Sequence, residues 1–130
     1  MTAKVVILNW NGRQHLERFL PSVLRNTPED VSIVVADNGS TDDSVKVLQT
    51  LFPCVEVVRL PQNYGFAEGY NRALSMIKAD CYILLNSDIE TPQGWCTPLI
   101  DALEADRTLA AVAPKILSLN APDTFEYAGA

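Results

Sequence analysis

Four short segments rich in asparagine, aspartate and glycine stand out in this 130-residue chain. They are Asn9–Gly12, Asp37–Ser40, Pro61–Gly65 and Asn86–Asp88. Each one follows a run of apolar residues, and such a run predicts a buried strand. Carboxylate, amide and hydroxyl oxygens are hard ligands for a divalent cation, and backbone amides in polar turns can hold phosphate. This chemistry suits a small anionic ligand bound together with a metal ion.

Asp37 comes directly after the apolar run 31–36, and the turn chemistry around it leaves it unexplained. Asn38 and Gly39 tolerate positive φ, and the hydroxyl of Ser40 or Thr41 is expected to cap a following helix. None of this requires an acid at position 37. A carboxylate there can accept a hydrogen bond from a nucleobase imide or bind a ribose hydroxyl, and we favour that interpretation for Asp37.

A second acid, Asp88, ends the segment after the apolar run 82–85. Mg²⁺ and Mn²⁺ are bound in proteins by one or two carboxylates together with substrate phosphates and waters. Asp88 is the natural direct ligand, and Asn86, Ser87 or Glu90 could assist it. The alternative is a simple Asx turn leading into the next helix, so this segment alone is weak evidence.

The segment Asn63–Asn71 surrounds a predicted helix start. Gly65 and Gly69 allow close approach of a ligand or of another backbone, and the helix N-terminus can face an anion. Asn71 falls in the helix interior, where asparagine is unfavourable, which suggests a role in binding. The alternative is an ordinary helix start with a close-packed glycine. Trp10 is compatible with the core or with the rim of a site, and His15 is expected on the surface.

Alternating strands and helices must position these segments. The apolar runs predict strands at Val5–Leu8, Val31–Ala36, Val55–Leu60, Cys81–Leu85 and Leu109–Ala113. Helical spacing predicts helices at Arg13–Arg25, from Ser40–Asp43 to Leu51, at Phe66–Ile77 and from Thr91–Pro92 to Ala105, with Pro21 kinking or ending the first.

This alternation predicts an α/β fold, namely a doubly wound, mostly parallel sheet with helices on both faces. The expected strand order is 3-2-1-4, with the fifth strand beyond strand four. Ligands of such sheets bind beyond the carboxyl ends of the strands, and all four polar segments fall at that edge.

Composition excludes several function classes. Apolar residues make up 48% and charged residues 20% of the chain, which is typical of a globular domain. A net charge of -6 argues against a nucleic-acid partner. No apolar run is long enough for a transmembrane segment, and the start lacks the features of a signal peptide. Three cysteines without a CxxC pair favour a reducing, cytoplasmic location.

Competing nucleotide-binding classes fit poorly. A dinucleotide-binding dehydrogenase requires G-x-G-x-x-G after strand one, but Asn9–Gln14 contains a single glycine. A P-loop is absent, and asparagines stand at positions 9 and 11 where a signalling receiver domain would need acids.

Together, in order and spacing, the segments 5–12, 34–42, 63–71 and 82–90 resemble the family-two glycosyltransferases of GT-A fold, and most of all their bacterial rhamnosyltransferase-like branch. The resemblance implies a UDP- or dTDP-linked nucleotide-sugar donor, Mg²⁺ or Mn²⁺, a glycan or lipid-linked acceptor, and a role in polysaccharide biosynthesis of the bacterial cell envelope. It places Asp37 against the base and Asp88 on the metal. The nucleotide-sugar site then comprises Asn9, Trp10, Asn11, Asp37, Asn38, Asn63, Gly65, Asn71, Asn86 and Ser87.

Two departures from the family pattern follow. The metal motif is commonly Asp-x-Asp, whereas Asn86 occupies its first position here and removes one charge. The family's acceptor site and general base lie in a following half, so the resemblance implies that residues 1–130 are the nucleotide-sugar-binding N-terminal part of a longer protein. The base is then expected beyond Ala130, and the full-length protein is expected in the cytoplasm or at the inner face of the membrane. We therefore expect the donor-binding half of a metal-dependent, inverting glycosyltransferase; the alternative is a non-catalytic nucleotide-binding or assembly module.

Overall fold

A four-stranded parallel sheet forms the centre of the computed structural model, which describes residues 1–121 together with 125–127. Its strands are β1 (Ala3–Asn9), β2 (Ser32–Asn38), β3 (Glu56–Leu60) and β4 (Cys81–Leu84). The helices are α1 (Arg13–Asn26), α2 (Ser44–Leu51), α3 (Phe66–Met76) and α4 (Thr97–Ala105). The strand order β3-β2-β1-β4 confirms the predicted 3-2-1-4 arrangement.

Helices cover both faces of the sheet, as predicted. Because side chains alternate along a strand, Val5 and Ile7 of β1 pack with α1 and α2, whereas Val6 packs with α3. The first face holds the larger cluster of buried residues, and partly buried Ile100 of α4 joins it. Strands covered on both faces are continuously apolar, which explains why β2 is buried at every position after Ser32.

Helix α1 continues past Pro21 to Asn26, so the early stop that the proline suggested does not occur. Proline removes one helical hydrogen bond, but Pro21 lies on the exposed side of the helix. Leu20 and Val23 on either side of it are buried against the sheet. Tertiary packing of this apolar face offsets the local cost of the proline.

Helix α4 begins at Thr97 rather than at Pro92 after a Thr91 cap, so the predicted start is wrong by five residues. The Thr91 N–H donates to Ser22 Oγ over 3.2 Å, and Asn26 Nδ2 donates to the Thr91 carbonyl over 2.8 Å. These contacts fix the segment against α1, and they engage the Thr91 carbonyl that would accept the first hydrogen bond of a helix starting there. The Thr-Pro signature of a helix start recurs at Thr97–Pro98, where the helix does begin.

The fifth predicted strand, Leu109–Ala113, is irregular and mostly exposed. Alanine has low strand propensity, and the exposure of this segment gives it little burial to stabilise a strand. Short strands β5 (Ile116–Leu117) and β6 (Phe125–Tyr127) instead form an antiparallel pair apart from the main sheet. No helix in the described part of the chain has the length and apolar character needed to cross a membrane.

Candidate functional site

The four polar segments meet at the carboxyl edge of the parallel sheet. Asn9 at the end of β1 lies beside Asp37 of β2, and Asn38 lies beside Leu60 at the end of β3. β4 ends at Leu84, immediately before the segment that carries Asp88. Parallel strands bring their carboxyl ends together, so the loops that follow them share one surface.

Asn9 and Asp37 form a buried hydrogen-bonded pair between β1 and β2. Asn9 Nδ2 donates to Asp37 Oδ1 over 3.1 Å, and the Ser40 N–H donates to Asp37 Oδ2 over 3.0 Å. Both carboxylate oxygens are therefore oriented by the protein, and only 2% of Asp37 is exposed. This internal role explains an acid at position 37, which turn chemistry alone left unexplained.

Asn11 connects the loop after β1 to the loop after β2. It has φ of 49°, a left-handed conformation that asparagine tolerates better than most residues. Its Oδ1 accepts hydrogen bonds from the N–H groups of Thr41, over 2.7 Å, and Asp42, over 3.2 Å. Its own N–H donates to Ser40 Oγ over 2.9 Å. The hydroxyl oxygen of Ser40 thus accepts hydrogen bonds from Asn9 Nδ2 and from the Asn11 N–H, and it does not cap a helix.

Helix α2 begins at Ser44, four residues after the predicted cap at Ser40. Asp42 accepts hydrogen bonds from the Ser44 N–H and hydroxyl and from the Arg13 N–H. Partial burial raises the pKa of the Asp42 carboxyl, but the hydrogen bonds from Ser44 and Arg13 outweigh it, so the pKa lies below its ordinary value. This loop is therefore built around a charged carboxylate.

Asn38 fastens the loop after β3 to the end of β2. Its Nδ2 donates to Asn63 Oδ1 over 3.1 Å and to the Gly65 carbonyl over 3.0 Å, and its Oδ1 accepts from the Tyr64 N–H over 3.1 Å. Helix α3 packs so closely on this amide that a Cβ on Gly69 would lie 2.8 Å from Asn38 Nδ2. The structure therefore brings together Asn38, Asn63 and Gly65, as the sequence predicts.

A cavity of about 280 Å³ opens between the end of β1 and the start of α3. It is lined by Leu8, Trp10, Asn38, Asn63, Gly65 and Phe66. Trp10 is 54% and Phe66 68% exposed, so both aromatic rings form a rim and Trp10 is not a core residue. Sequence reasoning missed Leu8 and Phe66; an aromatic residue directly after the helix-start glycine was the available signal for Phe66.

The turn after β4 presents Asn86 and Asp88 to solvent, with Ser87 half-buried. No hydrogen bond or ion pair engages the Asp88 carboxylate among residues 1–121, so it is available to a ligand. That range contains no group of three or more His, Cys, Asp or Glu side chains able to hold a metal. A Cβ on Gly12 would lie 3.8 Å from Ser87 Oγ, which places this turn beside the loop after β1.

Two other residues considered from the sequence lie apart from these contacts. Asn71 is exposed on α3 and does not line the cavity. His15 is exposed on α1, where its ring lies 6.2 Å from that of Phe19, and its predicted surface position is confirmed.

Sequence comparison identifies the wider group to which this arrangement belongs. Residues 4–125 match the sequence model of Glycosyl transferase family 2. An N-acetylglucosaminyl-diphospho-decaprenol L-rhamnosyltransferase of Mycobacterium tuberculosis is 29% identical over 123 residues, a match covering 86% of this chain. The chain spans only 40% of the length of that relative.

Solved structures share the fold. GalNAc-T7, determined with UDP, GalNAc and Mn²⁺, is 26% identical with a TM-score of 0.71, over 83% of this chain and 22% of its own. The Pyrobaculum calidifontis mannosyltransferase PcManGT, determined with GDP-Man and Mn²⁺, is 21% identical with a TM-score of 0.69, over 83% of this chain and 33% of its own. These likenesses confirm the predicted GT-A architecture. Since the family match covers nearly the whole sequence, this chain belongs to Glycosyl transferase family 2.

Proposed function

We propose that this chain binds the nucleotide-sugar donor of a metal-dependent, inverting glycosyltransferase. The observation that carries the proposal is that two features lie at the same edge of the sheet. One is the cavity rimmed by aromatic residues, and the other is the solvent-exposed carboxylate of Asp88. A nucleoside diphosphate has the matching parts, a flat base and a charged diphosphate. The relatives support this, since GalNAc-T7 was determined with UDP and Mn²⁺.

The nucleoside is proposed to bind at the cavity between β1 and α3. Trp10 and Phe66 offer exposed aromatic faces on which a base can stack. Asn9, Asn11 and Asn38 hold the loops that shape the cavity, and Asn63 and Gly65 line it. Asp37 is buried and does not line this cavity, and it is retained as a candidate base contact. Asn71 is retained as a candidate farther along α3.

The turn after β4 fits a divalent cation held jointly with the donor. Asp88 supplies a carboxylate and Asn86 an amide oxygen, both hard ligands suited to Mg²⁺ or Mn²⁺. Ser87 can support the diphosphate or a bound water. With two protein oxygens, donor phosphates and waters must complete the coordination. When bound, such a cation neutralises charge on the leaving diphosphate.

The proposed reaction is a single displacement at the anomeric carbon. The acceptor hydroxyl loses its proton to a general base and attacks that carbon, while the bond to the diphosphate oxygen breaks on the opposite side and the configuration inverts. We propose that the base and the acceptor site belong to parts of the full-length protein outside this chain, since the mycobacterial relative is much longer. No residue within 1–121 is assigned as the base.

The acceptor is proposed to be a glycan or a lipid-linked glycan. The name of the mycobacterial relative specifies a diphospho-decaprenol acceptor, which supports the lipid-linked form. On this proposal the protein acts in bacterial cell-envelope polysaccharide synthesis, on the cytoplasmic side of the membrane where nucleotide sugars are made.

Thermal denaturation tests donor binding directly. UDP, dTDP, GDP and ADP are each added with and without Mn²⁺, and at least one pyrimidine nucleotide is expected to raise the Tm more with the metal than without it. Asp88→Ala should abolish the metal-dependent part of the shift. Asp101→Ala, at an exposed carboxylate on α4, is the matched control and should retain it. The absence of any shift with folded wild-type protein would contradict the proposal.

A non-catalytic nucleotide-binding module is the second candidate. It is favoured by Asn86 in place of a second carboxylate and by the lack of a three-ligand metal group among the described residues. Turnover of a labelled nucleotide sugar by the full-length gene product separates the two. Turnover that Asp88→Ala abolishes supports the enzyme, whereas nucleotide binding without turnover supports the module.

A further inference from the structure

The pairing of β1 with β4 ends one step before the candidate site. Val6 lies beside Leu84, and the Leu85 N–H donates to the Val6 carbonyl over 3.1 Å. In a parallel ladder the next hydrogen bond runs from the residue two positions along, here from the Leu8 N–H to the Leu85 carbonyl. That backbone bond is absent from the part of the chain that the structure describes.

The hydroxyl of Tyr70 occupies the position of the missing bond. The Leu8 N–H donates to Tyr70 Oη over 3.4 Å, and Tyr70 Oη donates to the Leu85 carbonyl over 3.3 Å, with the Val6 carbonyl as a second acceptor for the same proton at 3.5 Å. One hydroxyl thus bridges a donor on β1 and an acceptor after β4 that would otherwise meet directly. Both backbone groups stay hydrogen-bonded although β1 and the segment after β4 diverge at this point.

Tyr70 is well placed to hold this separation. It extends from α3, is only 5% exposed, and its ring packs edge-on against Phe66 with centroids 5.1 Å apart. Burial raises the pKa of the Tyr70 hydroxyl, so it keeps the proton that it donates to the Leu85 carbonyl. The protonated hydroxyl can therefore both donate and accept a hydrogen bond at this position.

The bridge lies between the two halves of the candidate site. Leu8 directly precedes the loop that carries Asn9 and Trp10, and Leu85 directly precedes Asn86 in the turn that carries Asp88. We infer that Tyr70 is a positioning residue whose hydroxyl, inserted between the diverging ends of β1 and β4, sets the distance between the nucleoside cavity and the Asp88 turn. This inference rests on the donor-binding function proposed above. Without the hydroxyl the two strands can pair for one more step and draw the Asp88 turn toward β1.

Tyr70→Phe removes the hydroxyl and keeps the ring. Tyr82→Phe is the matched control, since the Tyr82 hydroxyl also donates to a main-chain carbonyl, that of Ile77 at 2.6 Å, at the opposite end of β4. Backbone NMR should show larger shift changes at residues 86–88 and 9–12 in Tyr70→Phe than in Tyr82→Phe. In wild-type protein the Tyr70 hydroxyl proton should exchange slowly and show an NOE to the Leu8 amide. A rapidly exchanging hydroxyl proton without that NOE would overturn the bridge even if the variant failed to fold.

Titration calorimetry tests whether Tyr70 affects metal-dependent donor binding. The ligand is UDP, or whichever nucleoside diphosphate binds wild-type protein best. The measured quantity is the ratio of the Kd without Mn²⁺ to the Kd with Mn²⁺, which a general loss of stability would not change. Tyr70→Phe should reduce this ratio about fivefold, the typical effect of one hydrogen bond on an equilibrium constant, and Tyr82→Phe should leave it unchanged.

The outcomes separate the inference from the function on which it rests. Equal ratios in wild-type protein and in both variants would overturn the positioning role and leave donor binding intact. If wild-type protein binds no nucleoside diphosphate, the proposed function is wrong, and the role of Tyr70 in positioning a donor is then wrong as well. The NMR comparison of residues 86–88 then still decides whether the hydroxyl sets the position of the turn.

Discussion

Asn9 Nδ2 donates a hydrogen bond to Asp37 Oδ1 over 3.1 Å, and this pair joins the ends of β1 and β2 with both side chains buried. The sequence predicts both residues as nucleotide contacts, and in the structure they fix the two loops against each other. Loops held in this way present their outward groups in one arrangement. Ligand binding then requires less ordering, which favours affinity.

Substitution of Asp37 should destabilise the fold as well as weaken binding. In Asp37→Asn, the new amide cannot accept hydrogen bonds from both Asn9 Nδ2 and the Ser40 N–H, so a buried donor loses its partner. We expect a loss of about 1–3 kcal/mol in the free energy of unfolding, measured by urea denaturation. Asp101→Asn, at an exposed site on α4, should change it by less than about 0.5 kcal/mol. An Asp37→Asn variant as stable as wild type would show that the pair is dispensable.

Replacement of Asn11 should separate its backbone conformation from its hydrogen bonds. Asn11→Ala loses the oxygen that accepts from Thr41 and Asp42 and leaves an alanine at φ of 49°. Asn11→Gly loses the same oxygen but adopts that φ without strain. We expect both variants to be destabilised, with alanine worse than glycine by about 1 kcal/mol in chemical denaturation. Equal stabilities of the two variants would contradict the strain argument.

Asp42 should make the stability of the fold depend on pH. Its carboxyl has a lowered pKa in the folded protein, against an ordinary value of about 3.9 in the unfolded chain. The charged form is thus favoured by folding, and its contribution is present above pH of about 4 and lost as the pH falls through the folded pKa. The unfolding free energy of Asp42→Asn, followed from pH 7 to pH 3, should fall less steeply than that of wild type. Parallel curves would refute this role.

Gly69→Ala should destabilise the protein although alanine is the better helix former. In an open helix interior this change is favourable by about 1 kcal/mol. Here a Cβ would lie 2.8 Å from Asn38 Nδ2 and 3.1 Å from Leu8 Cδ2, so α3 must move away from the strand ends. The Tm should fall, whereas Ser75→Ala, on the exposed side of the same helix, should leave it unchanged or raise it. A rise in Tm for Gly69→Ala would show that α3 adjusts without cost.

The sheet and most helices were predictable because burial on two faces makes each strand a continuous apolar run. β2 is predicted in this way, whereas the helix at Phe66 is predicted from apolar residues at helical spacing. Local signals failed where another segment competed for the same groups. Ser40 and Thr41 looked like helix caps, but Asn9 and Asn11 use their hydrogen-bonding groups from across the site.

The location of the site was predictable from the sequence, whereas the contacts within it were not. Parallel topology alone puts Asp37 and Asp88 at one edge. It does not indicate that Asn38 would hold the loop after β3, or that Tyr70 would reach between β1 and β4, because these contacts join residues at least 15 positions apart. Such contacts depend on the packing angle of α3, which no local pattern encodes.

The two rim aromatics should dominate the affinity for the nucleoside. Trp10→Ala and Phe66→Ala each remove an exposed ring beside the cavity. Base stacking on an aromatic ring contributes about 1–3 kcal/mol, so Kd should rise by about 5- to 150-fold. Trp10→Phe keeps a stacking surface and should lose less. Leu51→Ala removes an exposed apolar side chain on α2, away from the cavity, and should bind like wild type.

Tryptophan fluorescence gives a direct measurement of this effect. The chain has two tryptophans, and Trp95 packs against the buried cluster on the face of the sheet that α1 and α2 cover. Its Nε1 donates a hydrogen bond to Thr27 Oγ1. Quenching by UDP or dTDP should therefore come from Trp10 and disappear in Trp10→Phe, even where calorimetry still detects binding. Quenching that survives in Trp10→Phe would place the base near Trp95 and away from the cavity at the end of β1.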